Sequence, residues 1–325
     1  MSYKPTRISI VIVNYNTKDL LGECLNSLLV ELQDVEHEVI VVDNASTDGS
    51  QETVKRNFPE IVFVQNKENV GFPKANNQVL LRCLGEYIML LNPDTLVLPG
   101  SIRKMIDFLD NNEEYGAVGP KIMNRDGTIQ MECASSFPTL WGLFFEMTQL
   151  SRIFYESPMF GGWKMTHWDH LDSRDVECLL GAAILTRRTI LNEIGLLDEH
   201  MYVEDVDLCF RIRTAGWRIR YLSTADLIHY GGASRECSKR FYHHYQIAWQ
   251  GLWHFFRKHR GSAQAKIFCL MAFFCSMIGL IFFFPISWLT FFDKKLSLSF
   301  QNKGKKAWAI FSWSIISPRR FTGKY

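Results

Sequence analysis

Short apolar runs alternate with segments of helical spacing through the first third of the chain. Four runs rich in β-branched or large apolar residues predict buried strands, at residues 8–13, 39–42, 61–64 and 87–91. Four segments with helical spacing predict helices, at residues 17–32, 50–57, 72–84 and 101–111. Strands and helices that alternate at this pace predict parallel β-α-β units and an α/β fold.

The rest of the chain continues this pattern less regularly. We predict strands at 179–187 and 218–222, a helix at 204–215 that Gly216 ends, and an aromatic helix at 241–259. Residues 120–178 are rich in aromatic side chains and show no clear period. This stretch is interpreted as an insertion in the α/β domain.

Residues 267–292 form an apolar segment of 26 residues without a charged side chain. A helix of that length measures about 39 Å, more than the roughly 30 Å hydrocarbon core of a bilayer requires, and Pro285 predicts a break in it. Basic residues flank it on both sides, at 257, 258 and 260 and again at 294, 295, 303, 305 and 306. Positive charge marks the cytoplasmic side of a membrane, and here it lies on both flanks of the segment. The segment could therefore be a crossing helix, a re-entrant hairpin or an interfacial helix, and the alternative to all three is a buried core helix.

Composition narrows the possible functions. The 325 residues, 47% of them hydrophobic, suffice for a sizeable core, and a net charge of +2 gives no sign of nucleic-acid binding. The eight cysteines contain no C-x-x-C pair, which argues against a zinc or redox site. Because the N-terminus carries no apolar signal-peptide core, we expect reduced cysteines and a position on the cytoplasmic face of the inner (plasma) membrane.

Polar residues stand where three of the predicted strands end. They are Asn14-Tyr15-Asn16, Asp43-Asn44 and Asn92-Pro93-Asp94. Ligands of parallel α/β sheets bind beyond the carboxyl ends of the strands, which places a site here. The motifs G-x-G-x-x-G, G-x-x-x-x-G-K-[ST], H-E-x-x-H and G-x-S-x-G are absent from the sequence. Acidic and amide side chains without a glycine-rich loop favour a site in which a metal ion neutralises the diphosphate of the ligand.

Seven segments, taken in order, resemble one enzyme family. They are VIVNYN (11–16), VVDNASTDGS (41–50), NVGFPKANN (69–77), LLNPDT (90–95), LGAAILTRR (180–188), LLDEHMYVEDVDLCFRIRTAGWRIRY (196–221) and HYGGAS (229–234). Over residues 6–235 the chain resembles a family 2 glycosyltransferase with a GT-A fold, of the rhamnosyltransferase-like branch. The resemblance implies a Rossmann-like mixed sheet. Together with the apolar segment it predicts three parts: a glycosyltransferase domain at 1–235, an aromatic and basic helical linker at 236–266, and a membrane-associated segment with a basic tail at 267–325.

The resemblance also assigns residues to the donor. Asn14, Tyr15, Asn16, Asp43, Asn69, Gly71, Lys74, Asn77 and Asn92 are predicted to bind the nucleotide sugar. Asp43 would accept the N3–H of uracil or thymine, although an aspartate before Asn-Ala-Ser is also an ordinary turn residue. Lys74, near a helix N-terminus, would meet phosphate, or else it is a solvated surface charge.

Asn92-Pro93-Asp94 occupies the place of the family's D-x-D metal motif, with an amide in place of the first acid. Asp94 and His229 are therefore the predicted ligands of Mg²⁺ or Mn²⁺, and Asn92 can add an oxygen or a bound water. A single carboxylate predicts weaker metal binding than two, and an ordinary strand-end histidine is the alternative for His229.

Glu204 and Asp205 are predicted to be catalytic, with Asp205 as the base that takes the proton of the acceptor hydroxyl. Their alternative role is to stabilise a helix N-terminus, and Asp207 is read as structural. The implied reaction is inverting transfer, best fitted by dTDP-L-rhamnose, to a saccharide or lipid-linked oligosaccharide, with residues 120–178 facing that acceptor. UDP-hexose or UDP-N-acetylhexosamine donors, and an inert nucleotide-sugar-binding protein, are the alternatives.

Overall fold

The computed structural model describes residues 6–231, 241–289 and 294–315. The four predicted strands of the first third form, as β1 (Ile8–Asn14), β2 (His37–Asp43), β3 (Val62–Gln65) and β4 (Tyr87–Leu91). The four helices between and after them form too, as α1 (Lys18–Glu31), α2 (Ser50–Asn57), α3 (Phe72–Leu80) and α4 (Ser101–Asp110). Because β1 and β4 are buried on both faces, their side chains form continuous apolar runs without alternation.

The later elements complete the sheet. The strands are β5 (Thr95–Val97), β6 (Tyr115–Met123), β7 (Ala134–Ser135), β8 (Arg174–Asp175), β9 (Cys178–Leu179), β10 (Ala183–Arg187) and β11 (Arg218–His229). The helices are α5 (Leu140–Met147), α6 (Leu150–Ile153), α7 (Arg188–Ile194) and α8 (Glu204–Thr214), with a short 3₁₀ turn at Met131–Cys133. The main sheet runs in the order β3-β2-β1-β4-β10-β6-β11-β5, with β8 paired to β11, while β7 and β9 form a separate pair.

The predicted parallel β-α-β units form half of the main sheet, and the mixed sheet that the resemblance implied is confirmed. Strands β3, β2, β1 and β4 are parallel, but β10 runs antiparallel to both of its neighbours, as does β5 to β11. The single strand predicted at 179–187 is wrong, because the chain turns at Leu180–Ala182 and divides it between two sheets. The strand predicted at 218–222 extends to His229 past an irregularity after Leu222, and β5 and β6 were not predicted.

Two apolar layers cover the faces of the main sheet. One layer contains α1, α2 and α4, with Leu25 and Met105 fully buried against alternate residues of β1 and β4. The other layer contains α3, α7 and α8, and its residues Val79 and Leu208 are buried against the opposite face of the sheet. The sheet is thus held rigidly from both sides, and its polar strand ends are the part left for a ligand.

The C-terminal part is helical. Helix α9 (Phe241–Phe255) continues into a π-helical turn (Phe256–Arg260), followed by α10 (Ser262–Leu289) and α11 (Lys294–Ile315). Phe268 contacts Trp313, with ring centroids 5.8 Å apart, and Phe273 stacks on Phe311 at 5.4 Å, so α10 and α11 form an antiparallel hairpin. The break predicted at Pro285 is wrong, since the helical backbone continues to residue 289.

Candidate active site

The ends of β1 and β2 form the first part of the site. Asn14 and Asp43 are register partners on the two parallel strands, and both are fully buried. The Asn14 amide donates to the Asp43 carboxylate at 2.8 Å. Asp43 also accepts from the Ser46 backbone N–H at 2.9 Å and from the Gln51 amide at 3.0 Å. Asp43 therefore fixes both the strand end and the turn that follows it.

Asn44 holds the loop before α3 against the end of β2. Its side chain donates to Asn69 at 3.0 Å and accepts from the Val70 N–H at 3.2 Å. Asn69 in turn accepts from the N–H of Gly71, whose φ of +87° is a left-handed conformation that favours glycine. Asn44 was not among the predicted site residues, although its position at a strand end was the signal that marked Asp43.

The other predicted donor residues have varied surroundings. Tyr15 is half-buried, and Asn16 adopts a φ of +53° while its side-chain oxygen accepts from the Thr47 N–H at 2.7 Å. Lys74 is exposed on the first turn of α3. Asn77 is bonded through both ends of its amide to the backbone of Leu197, which anchors the loop before α8 rather than facing the strand ends.

The three residues predicted for the metal converge. The His229 Nε2 atom lies 3.2 Å from an Asp94 carboxylate oxygen and 3.3 Å from the Asn92 amide nitrogen. All three lie on neighbouring segments, since β5 follows Asn92-Pro93-Asp94 and pairs with the end of β11. Asp94 and His229 are mostly buried, with 7% and 12% of their side chains exposed.

Gln130, which sequence reasoning missed, decides the tautomer of His229. Its amide nitrogen donates to the His229 carbonyl at 2.6 Å, so its oxygen, 3.0 Å from Nδ1, is the acceptor. Nδ1 therefore carries the proton in the neutral ring, and the lone pair of Nε2 points towards Asp94. A nitrogen lone pair and a carboxylate oxygen that face each other are a donor set that fits a divalent cation.

That donor set is small. Among the residues that the structure describes, no three His, Cys, Asp or Glu side chains group as metal ligands. Asp94 and His229 would supply two ligands. Asn92 would supply a third if its amide group rotated so that the oxygen faced the metal. The remaining positions would be left for oxygens of a bound diphosphate or water, as is usual for Mg²⁺ sites.

The predicted catalytic acids open α8. Asp205 accepts from the Gly181 N–H at 2.9 Å and from the Val206 N–H at 2.8 Å. Gly181 lies in the turn that separates β9 from β10, and the next carbonyl, of Ala182, accepts from the Asn92 N–H at 2.9 Å. The irregular turn at 180–182 therefore joins the helix of the acids to the metal-site strand end.

The two acids differ in their electrostatic surroundings. Burial raises the pKa of Asp205 above its usual range, while its two backbone donors oppose that rise. Burial and the adjacent Asp205 charge raise the pKa of Glu204 much further. Glu204 accepts no hydrogen bond from another residue within the described ranges. Burial therefore disfavours the ionised form of both acids, and it does so more strongly for Glu204.

Asp207, in the same first turn of α8, contacts three basic side chains. It is fully buried, pairs with Arg211 at 2.8 Å, and accepts from Lys258 at 2.8 Å and from His259 at 2.7 Å. After the cost of burial, these partners hold the pKa of Asp207 well below its usual range. Lys258 also pairs with Asp198 at 2.7 Å, so this member of the basic flank serves a protein contact.

A family model identifies the chain. Residues 9–169 match the model described as glycosyl transferase family 2, a region that contains β1 to β4 and Asp94. The chain belongs to glycosyl transferase family 2. Helix α8, with the acid pair, lies beyond the matched region.

Curated relatives of this glycosyltransferase act on different sugars. It is 28% identical over 206 residues to an N-acetylglucosaminyl-diphospho-decaprenol L-rhamnosyltransferase of Mycobacterium tuberculosis, an alignment that covers 59% of this chain and 66% of the relative. It is 27% identical to an O-antigen biosynthesis protein of Myxococcus xanthus, over 70% of this chain and 18% of that one. The chain thus spans just under two thirds of the length of the first relative.

A solved structure shares the fold of this glycosyltransferase over nearly its whole length. A mannosyltransferase from Pyrobaculum calidifontis, in complex with GDP-Man and Mn²⁺, matches with a TM-score of 0.58 over 98% of this chain and 88% of that chain, at 17% identity. The resemblance to the GT-A fold is therefore confirmed.

Proposed function

We propose that this chain transfers a sugar from a nucleotide donor to a saccharide acceptor, with inversion at the anomeric carbon. The observation that supports it is the joint placement of the polar ends of β1 and β2, the Asp94–His229 pair and Asp205, around one edge of the sheet. The polar strand ends suit a nucleoside, the Asp94–His229 pair suits a diphosphate with a cation, and Asp205 suits an acceptor hydroxyl.

Asp94, His229 and Asn92 would hold Mg²⁺ or Mn²⁺. When bound, the cation supplies positive charge that stabilises the departing diphosphate. Asp205, held by two backbone N–H groups, takes the proton of the acceptor hydroxyl as its oxygen attacks the anomeric carbon. Because the attacking oxygen approaches opposite the leaving group, one displacement inverts the configuration.

The proposed donor is dTDP-L-rhamnose, and the proposed acceptor is a lipid-linked saccharide used in cell-surface polysaccharide assembly. The similarity to the mycobacterial rhamnosyltransferase supports both. A UDP-hexose or UDP-N-acetylhexosamine donor is the second candidate, supported by 23% identity to a poly-β-1,6-N-acetyl-D-glucosamine synthase of Staphylococcus aureus. A catalytically inert binding protein would have no need of a carboxylate held by two backbone N–H groups beside the strand-end site.

We expect Asp43→Ala to weaken nucleotide binding by about tenfold or more, because it leaves the buried Asn14 amide and the Ser46 N–H without their acceptor. Calorimetric titration with dTDP and UDP measures this, and radiolabelled transfer from a panel of donors identifies the sugar. Asp48→Ala is the matched control, since Asp48 lies in the same turn but bonds to Lys18 and Ser50. Equal losses in both variants would remove Asp43 from the donor site.

The described part of the chain contains one helix long and apolar enough to cross a membrane, at Ser262–Phe282, with a mean hydropathy of 2.2. Its outer face carries Ile267, Leu270, Phe274, Ile278 and Ile281, each more than half exposed. Its inner face, with Phe268 and Ala272 fully buried, packs against the protein. An apolar face exposed on one side favours an interfacial helix over an isolated crossing.

Helix α11 supports the same orientation, because its middle carries Lys303, Lys305 and Lys306, which a bilayer core disfavours. We propose that the hairpin lies on the cytoplasmic face of the plasma membrane, with the outer face of α10 in the lipid. Ile278→Glu together with Phe274→Glu should release the protein from anionic vesicles in a flotation assay. Glu substitutions at Val62 and Leu81, exposed apolar residues of the α/β domain, are the control and should leave flotation unchanged.

A further inference from the structure

A cavity of about 450 Å³ lies between the C-terminal hairpin, α9 and the insertion that carries α5 and α6. Its wall is apolar where Leu143, Trp249, Leu252 and Ile310 line it. Four cations also line it: Arg152, Lys164, Lys303 and Lys306. We refer to it below as the hairpin cavity.

The charge of the hairpin cavity favours an anion. The four cations outnumber the two acids, Glu132 and Glu146, and Glu146 is paired with Lys164 at 3.0 Å. Lys306 lies over the ring of Tyr245, 5.2 Å from its centroid, and is held at the cavity by that contact. A cationic rim beside an apolar wall matches a molecule with a phosphate group on a long hydrocarbon.

The hairpin cavity is lined by the lipid-facing helix, and it shares an apolar cluster with residues that flank the acids. Val203 and Val206, on either side of the catalytic acids, pack into the same apolar cluster as the cavity residues Leu143 and Trp249. The cavity face of α10 carries Cys275 and Gly279, which alternate along the helix with the exposed residues of its outer face. A ligand here can therefore extend towards the acids at one end and towards lipid at the other.

We infer that the hairpin cavity binds the diphosphate and the first isoprenoid units of a polyprenyl-diphosphate-linked acceptor. This rests on the proposed function, and it assigns to the acceptor a site separate from that of the nucleotide. The cations bind the diphosphate, the apolar wall contacts the first isoprene units, and the rest of the chain stays in the membrane. The first sugar then extends towards Asp205.

Binding of farnesyl diphosphate to the full chain in detergent, with saturating dTDP or UDP present, tests this inference. We expect Lys306→Glu on α11 and Arg152→Glu on α6 each to weaken binding by about tenfold or more, as the loss of one charge-assisted contact implies. Lys305→Glu is the matched control, because Lys305 is exposed on the same helix and does not line the cavity. Nucleotide affinity should be unchanged in all three, which also shows that they are folded.

Farnesol and inorganic pyrophosphate should each bind much more weakly than farnesyl diphosphate, since each supplies only half of the contacts. Equal effects of Lys306→Glu and Lys305→Glu, competition by the nucleotide, or equal competition by phosphatidylglycerol vesicles would overturn the inference. If the nucleotide binds but farnesyl diphosphate does not, the inference fails while the proposed function stands. If neither nucleotide binds, the proposed function itself fails.

Discussion

Asp205→Asn should lower kcat by about 10²–10⁴-fold, the usual contribution of a general base, while nucleotide affinity stays nearly unchanged. The amide keeps the shape of the carboxylate but only one acceptor oxygen, so it retains one of the two bonds from the Gly181 and Val206 N–H groups. Because the pKa of Asp205 is raised, we expect activity to fall as the pH drops through a value above the usual aspartate range, about 3.9. Steady-state kinetics over pH measure both effects.

Glu204→Gln is the matched control for that experiment. Because burial disfavours the ionised form of Glu204 more strongly than that of Asp205, its amide analogue should retain most of the activity. If Glu204→Gln abolishes transfer and Asp205→Asn does not, the roles are reversed. If both variants stay active, the pair only stabilises the helix and the base is another residue.

Asp94→Asn should lower kcat by about 10²–10³-fold and raise the metal concentration that activity requires, because one of two charged or basic ligands loses its charge. Metal titrations with Mg²⁺ and Mn²⁺ in both enzymes measure the shift. Asp126→Asn is a suitable control, since Asp126 is exposed and bonds only within its own turn to Thr128. Full turnover in excess EDTA would contradict a metal requirement.

The parallel half of the fold could be predicted because the sequence patterns that indicate it each lie within one short segment. Buried strands such as β1 and β2 read as continuous apolar runs, and the polar residues that end them, Asn14 and Asp43, do lie together. Asp94 and His229 were placed in one site through a family resemblance, since no local pattern links residues so far apart in the chain. The geometry that brings them together depends on pairing between β5 and β11, and β5 is too short to show a period.

The antiparallel half was harder to predict because tertiary contacts decide it. The sequence at 179–187 has the composition of one strand, and the turn at Gly181 forms where its N–H reaches Asp205 on a different element. Gln130 lies in a stretch without periodicity, yet it sets the tautomer of His229. The basic residues at 257, 258 and 260 indicated a membrane flank, but Lys258 instead pairs with the buried Asp207, which His259 also contacts.

The ion pairs of Asp207 have a consequence for which acceptors the enzyme can reach. They fasten the helix of the catalytic acids to the segment that leads into the hairpin, so the two cannot move independently. If the hairpin rests in the membrane, Asp205 is held at a constant height above the lipid surface. Acceptors would then be selected by length, with only hydroxyls at that height reacting. Lipid-linked acceptors that differ by one sugar should therefore show a sharp optimum, which Asp207→Asn would broaden.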